Sequence, residues 1–152
     1  MIFDLRGNGG GAPGMVAMAA SYLLPPGTKL NSFRRRGHAE VDQSWTLPFV
    51  PGGSWSNEKP VYVLTSRETA SGTEEFAYDL QQLKRATIAG ERTWGGANPG
   101  MPFPIDTPLL GLRSYRDSRE PDLGDQLGGH GCAARRQGGA GERAGSSKAH
   151  GT

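Results

Sequence analysis

The pattern of apolar and turn-forming residues over the first 112 positions predicts an α/β domain. Residues 1–5 form a short apolar run that indicates a buried strand, and the glycine-rich residues 6–11 follow it directly as a turn. A helix is predicted to begin at Pro13, because proline suits a first helical turn, and to end at Leu24, because two prolines follow it. The chain therefore opens as strand, glycine turn and helix.

The same pattern continues through the next eighty residues. Residues 29–47 are polar and predict one or two strands, and a loop rich in Pro, Gly and Ser follows at 48–59. Residues 61–65 are the strongest strand signal, 70–84 predict an amphipathic helix, and 86–89 predict a further strand. The apolar face of that helix consists of Phe76, Leu80 and Leu83.

Composition divides the chain near residue 112. A hydrophobic fraction of 35% with 24 Gly and 11 Pro is low for a packed core in a chain of 152 residues. Residues 113–152 contain only Tyr115, Leu123 and Leu127 as large apolar side chains, so they cannot bury enough surface to offset the entropy of ordering. We predict a folded partial domain at 1–112 and a disordered Gly/Arg-rich tail at 113–152.

Charge and cysteine content exclude several functions. The net charge is only +2, and the basic run at residues 34–36 has one neighbouring aromatic, Phe33, so a solvated hairpin is favoured over nucleic-acid binding. A single cysteine, Cys132, excludes an internal disulfide and a cysteine-based zinc site. We expect no membrane span and find no signal peptide, although a strand at residue 1 suggests a truncated N-terminus, so localisation stays undetermined.

Two interpretations are open for Ser71, at the start of the second helix. Followed three residues later by Glu74, it fits a capping box, which is a common helix start. A serine there could also act as a nucleophile, because a helix N-terminus stabilises negative charge. The loop at residues 6–14 lacks the pattern of a phosphate-binding loop, but its backbone N–H groups could stabilise an oxyanion. Spacing alone favours the plain cap.

Three motifs together resemble the S41 family of serine peptidases. They are D-L-R-G-N-G-G-G at 4–11, V-L-T-S-R-E-T-A-S-G-T-E-E-F-A-Y-D-L at 63–80 and I-A-G-E-R-T-W-G-G-A at 88–97. This family contains the tail-specific or C-terminal processing proteases, with the tricorn core protease and interphotoreceptor retinoid-binding protein as relatives. The resemblance covers residues 1 to about 100, and implies an α/β fold with a ClpP/crotonase-like core of ββα units.

The resemblance also implies site residues and a reaction. Ser71 matches the family's nucleophile, Gly72 matches one oxyanion donor through its N–H, and Gly10 is the best match for the other. The implied reaction is hydrolysis of a polypeptide through an acyl-enzyme on the serine. No metal or organic cofactor is implied, and the oligomeric state is left open.

A general base for Ser71 is missing from the expected positions. The processing-protease branch implies a lysine near the turn at residues 93–98, which contains none, and Lys84 is interpreted as a solvated charge at a helix end. The lack of a lysine in this turn favours the tricorn and retinoid-binding branch of the family. Resemblance to that branch implies an upstream histidine and a downstream glutamate. We interpret His38 as a surface residue. The other histidines, His130 and His150, lie in the tail.

We therefore expect a peptidase fragment with little or no activity by itself. The alternative is a noncatalytic module that binds an apolar, retinoid-like ligand on the same fold. An unstable partial domain without a function of its own is a third possibility.

The tail has two explanations. The codons that encode residues 120–137, if read one nucleotide later, could encode family-like segments such as N-P-I and T-N-W-E. One hypothesis is therefore a frameshift between about residues 101 and 112. A naturally divergent disordered tail is the other. The DNA sequence distinguishes them, because the frameshift requires codons that can spell both segments.

Overall fold

The computed structural model describes residues 1–34, 39–55, 58–97, 100–106 and 109–114. The remainder of the predicted disordered tail, from residue 115 onward, lies outside these residues, as do Cys132 and the three histidines. The described elements are β1 (Ile2–Asp4), α1 (Pro13–Ser21), β2 (Lys29–Arg34), β3 (Val41–Trp45), β4 (Tyr62–Thr65), α2 (Gly72–Gln82), β5 (Thr87–Gly90), β6 (Gly100–Asp106) and β7 (Leu109–Ser114).

A three-stranded parallel sheet with the order β1-β4-β5 carries the site. Phe3 pairs with Val63, and Val63 pairs with Ile88, so the three predicted apolar runs lie side by side. Parallel neighbours require crossover connections, and α1 and α2 lie in the two connections. The order of elements through β5 and the α/β class agree with the prediction from sequence.

The core lies between this sheet and the two helices. Phe76 of α2 meets Phe3 of β1 edge-on, with ring centroids 5.4 Å apart. Because α2 buries apolar side chains at helical spacing, its polar N-terminal turn is held in one place over the sheet. The buried members of the core are Val16, Ala17, Ala20, Leu23, Leu24, Leu30, Val61, Val63, Phe76, Ala77, Leu80 and Ile88.

The other four strands form two antiparallel hairpins. The predicted polar hairpin is present as β2 and β3, in which Phe33 pairs with Asp42. The second hairpin, formed by β6 and β7, was missed from sequence, because Pro102 and Pro104 argue against a strand. A hairpin of only two strands accepts proline, since each strand has an edge without a ladder. Strand β7 ends at Ser114, just past the predicted boundary at 112.

Buried hydrogen bonds attach the polar hairpin to α2. The side-chain amide of Asn31 in β2 donates to Glu75 at 3.0 Å and to Asp79 at 2.9 and 3.1 Å. All three side chains are at least nine-tenths buried. Over the part of the chain that the structure describes, no helix combines the length and the hydrophobicity that crossing a membrane requires.

Candidate active site

Ser71 lies half-buried at the start of α2, in a strained backbone conformation. Its φ of 54° and ψ of −126° fall in a region that residues with side chains rarely adopt. An ordinary N-cap residue has an extended backbone, so Ser71 is not an ordinary cap. Conformations of this kind cost about 1–3 kcal/mol and are concentrated at catalytic sites. A nucleophilic serine on a sharp strand-to-helix turn is a recurring example.

Ser71 and Glu74 form the predicted capping box, but its two arms differ. The carboxylate of Glu74 accepts a hydrogen bond from the Ser71 backbone N–H at 2.8 Å. The Glu74 N–H is near the Ser71 side chain, yet its short hydrogen bond goes to the Ser71 carbonyl oxygen at 2.9 Å, and the hydroxyl makes no cap hydrogen bond of good geometry. The Glu74 arm is therefore the stronger of the two and secures the helix start.

The Glu74 carboxylate also joins the helix start to the turn after β5. It is fully buried and accepts hydrogen bonds from the Gly95 N–H and, at 2.9 Å, from the Gly96 N–H. Its three bonded donors are thus backbone amides from two separate segments. Charge-assisted bonds of this type are stronger than those between neutral groups, so Glu74 holds the turn beside Ser71.

The glycine-rich loop after β1 packs directly against the same helix start. A Cβ added to Gly10 would lie 2.7 Å from the Ser71 Cβ, and the φ of Gly10 is +119°, so only glycine fits. The carbonyl of Asn8 accepts from the Ala70 N–H at 3.1 Å and from the Thr73 hydroxyl at 2.8 Å. The first and second sequence motifs therefore meet at Ser71.

Backbone N–H groups converge on this place. The Gly72 N–H, the first of α2, makes no hydrogen bond within the described part of the chain, and the Gly11 N–H, close to Gly72, makes none either. The Gly10 N–H donates to the Asn8 side-chain oxygen at 3.0 Å. Of the two predicted donors, Gly72 is open, while Gly10 is beside Ser71 but already has an acceptor.

Asp4 and Arg6 form an ion pair at the start of the glycine-rich loop. The Arg6 guanidinium donates to both Asp4 carboxylate oxygens, at 2.9 and 2.7 Å, and these side-chain bonds are the main reason that the pKa of Asp4 falls to about 2. This pair was not predicted from the sequence. The signal for it was a carboxylate and a guanidinium two residues apart at the end of a strand, where their side chains project from one face.

Among the described residues, none of the candidate bases from the sequence lies next to Ser71. Lys84 is exposed and follows the C-terminal end of α2, at the opposite end of the helix from Ser71. His38, His130 and His150 lie outside the described residues. Within the described residues, no group of three or more His, Cys, Asp or Glu side chains could hold a metal ion.

Residues 1–107 match the family model described as peptidase family S41. The chain belongs to peptidase family S41. The match extends over β1, the glycine-rich loop, α2 and the turn after β5, which are the segments that meet at Ser71.

Relatives of this S41 chain include two curated processing proteases and a solved structure. It is 35% identical over 94 residues to a carboxyl-terminal-processing protease of Synechocystis, and 33% identical over 95 residues to a chloroplastic C-terminal processing peptidase of Tetradesmus obliquus. Each alignment covers 62% of this chain, which spans about a fifth of the length of either relative (20% and 19%). The photosystem II D1 C-terminal processing protease is 25% identical with a TM-score of 0.66, over 88% of this chain and 33% of that one.

These similarities confirm an S41 fold and a peptidase family. They do not test the predicted placement of the chain in the tricorn and retinoid-binding branch. Both curated relatives are named processing proteases. That assignment stays a prediction. None of these three names supports the retinoid-like alternative.

Proposed function

We propose that this chain carries the nucleophile and oxyanion site of a serine peptidase that hydrolyses polypeptides through an acyl-enzyme on Ser71. The observation that carries the proposal is the backbone of Ser71, whose positive φ sets it apart from an ordinary helix cap. The segment around it belongs to a peptidase family, which supports polypeptide as the substrate class.

In the proposed reaction, the Ser71 hydroxyl oxygen attacks the peptide carbonyl carbon and transfers its proton to a base. The negative oxygen of the tetrahedral intermediate accepts from the Gly72 N–H, with help from the positive end of α2. The Gly10 N–H joins when it exchanges the Asn8 side-chain oxygen, its present acceptor, for the substrate oxygen. The amine leaves with a proton, and water hydrolyses the ester on Ser71.

We further propose that the chain by itself has little activity. Among the described residues, no lysine or histidine side chain is hydrogen-bonded to the Ser71 hydroxyl, and Lys84 lies at the opposite end of α2. General base catalysis is worth about 10²–10⁴ in rate, so a site without it retains only the contribution of the oxyanion donors and of binding.

A fluorophosphonate probe with mass-spectrometric mapping tests the nucleophile. We expect slow formation of one adduct on Ser71 in the 152-residue chain, with none at that position in Ser71→Ala. Added imidazole should raise the rate of adduct formation in proportion to its concentration, because it supplies the missing base.

Ser66 serves as the matched control, since it lies on the same loop before α2 and is also partly exposed. Adducts spread equally over Ser66 and Ser71 would contradict a specialised nucleophile. Rapid labelling of Ser71 that is indifferent to imidazole would contradict the proposed lack of a base.

A further inference from the structure

Trp94 is a large apolar side chain that the turn after β5 presents to solvent. It is 70% exposed, although its neighbours Thr93 and Ala97 are buried. A single exposed aromatic residue is common on protein surfaces and by itself indicates nothing. Trp94 differs because hydrogen bonds join the turn that carries it to the segment around Ser71.

Two sets of backbone hydrogen bonds hold the turn that carries Trp94. The Trp94 N–H donates to the carbonyl of Thr69 at 3.0 Å, and the two amides that follow donate to the Glu74 carboxylate. Thr69 and Glu74 lie on either side of Ser71 in the sequence. One oxygen of Glu74 accepts from both Ser71 and Gly96, so those two backbone segments are within a few ångströms of each other.

The indole ring is packed against the backbone of Gly96. A Cβ added to Gly96 would lie 2.3 and 2.4 Å from two carbons of the six-membered ring of Trp94. Glycine at this position therefore lets the ring approach the backbone of the turn closely. The ring therefore contacts the backbone of Gly96 through these carbons and is otherwise largely open, which makes an aromatic surface beside the segment around Ser71.

We propose that Trp94 binds an apolar or aromatic side chain of the polypeptide next to the bond that Ser71 cleaves. This inference rests on the proposed function of Ser71. Contact with Gly96 restricts the ring before a ligand arrives, which lowers the entropic cost of binding. A basic side chain is the less suitable ligand, since the nearby Glu74 carboxylate is fully buried and bonded to three amides.

The test uses the full chain and three capped pentapeptides, acetyl-Ala-Ala-X-Ala-Ala-amide, in which X is Phe, Lys or Glu. The readout is ¹H–¹⁵N spectra, in which the indole N–H signals are assigned by substituting each tryptophan. The backbone amide signals of Gly95 and Gly96, on the same turn, report the affinity of variants that lack the Trp94 indole. The Phe peptide should shift the Trp94 signal saturably and bind more tightly than the Lys and Glu peptides. Trp94→Ala should raise the Kd of the Phe peptide about tenfold, while Trp94→Phe, which keeps an aromatic face, should stay within about threefold.

Trp45 provides the matched control, because it is 44% exposed on β3, another element. Trp45→Ala should leave the affinity unchanged. The proposal is overturned if no peptide binds saturably, if the Phe peptide does not bind more tightly than the Lys and Glu peptides, or if Trp94→Ala binds as the unmodified chain does.

Adduct formation at Ser71 separates this proposal from the proposed function. If the serine is labelled while Trp94→Ala has no effect on binding, the role of Trp94 fails and the nucleophile stands. If the Phe peptide binds at Trp94 while Ser71 is never labelled, the surface binds peptides but the proposed chemistry fails.

Discussion

At the scale of single residues, Glu74 shows how a buried charge can be accommodated by the backbone. Its carboxylate is fully buried, and the donors bonded to it are the amides of Ser71, Gly95 and Gly96. Burial of a carboxylate is costly unless hydrogen bonds replace the lost water, and three amides supply them. Through these bonds one side chain stabilises both the strained backbone of Ser71 and the turn that carries Trp94.

We predict that Glu74→Gln destabilises the chain. A carboxamide presents an NH₂ group where the carboxylate has an acceptor oxygen, so at least one amide loses its partner, at a cost of about 2–4 kcal/mol. The measurement is the free energy of unfolding from urea titration. Glu40→Gln is the control, since Glu40 is exposed and its loss should change stability by about 0.5 kcal/mol or less. Equal stabilities for the two variants would refute the structural role of Glu74.

At the scale of elements, the site depends on the contact between the glycine-rich loop and the N-terminus of α2. The loop follows β1 and the helix follows β4, and these strands are neighbours in the parallel sheet. The carboxyl ends of parallel strands lie at the same edge of a sheet, so both connections begin there. Asn8 then bonds to Ala70 and Thr73, which fixes the distance between loop and helix.

Replacing single glycines tests this contact. We predict that Gly10→Ala destabilises the chain by about 2 kcal/mol or more, because its Cβ would overlap Ser71 and its positive φ disfavours alanine. Labelling of Ser71 should fall with it. Gly9→Ala is the matched control one residue earlier, where an added Cβ has no neighbour within 4 Å. The measurements are the free energy of unfolding from urea titration and the rate of Ser71 labelling by the fluorophosphonate. Equal values for Gly10→Ala and Gly9→Ala would contradict the importance of this contact.

At the scale of the whole molecule, one border of the parallel sheet pairs with no further strand among the described residues. Strand β1 is an outer strand of that sheet, and Ile2 on it is 65% exposed. A groove of about 550 Å³ opens beside it, lined largely by apolar side chains that include Met15 and Met18 of α1. Unpaired strand edges with apolar neighbours promote association between chains.

We therefore predict that the chain self-associates through this border and that Ile2→Lys reduces the association. A charged side chain on an edge strand opposes pairing with another strand. Light scattering over a range of protein concentrations gives the weight-average mass, which should fall toward the monomer value in the variant. Gln82→Lys, on the exposed end of α2, adds the same charge elsewhere and should leave the mass unchanged. A mass lowered equally by both variants would indicate a general charge effect instead.

The elements with strong local signals were predictable, and the exceptions have physical causes. Apolar runs predicted β1, β4 and β5, because strands of a parallel sheet are commonly apolar along their length. The predicted burial of β1 was wrong, since it is an outer strand with Ile2 exposed and Phe3 only half-buried. Strands β6 and β7 were missed, since proline normally weakens a strand and only pairing of the two segments shows that the hairpin tolerates it. For Ser71, spacing alone favoured the helix cap, and only the family motifs pointed to a nucleophile.

The sequence by itself determined the α/β class, the order of the elements through β5, the S41 motifs and the choice of Ser71 as the candidate nucleophile. These depend on short-range patterns, namely periodicity, glycine and proline positions, and motif spacing. Only the tertiary structure decided the positive φ of Ser71, the present acceptor of the Gly10 N–H and the open indole of Trp94. Each of these follows from exact atomic positions where distant segments meet, and local patterns do not encode such positions.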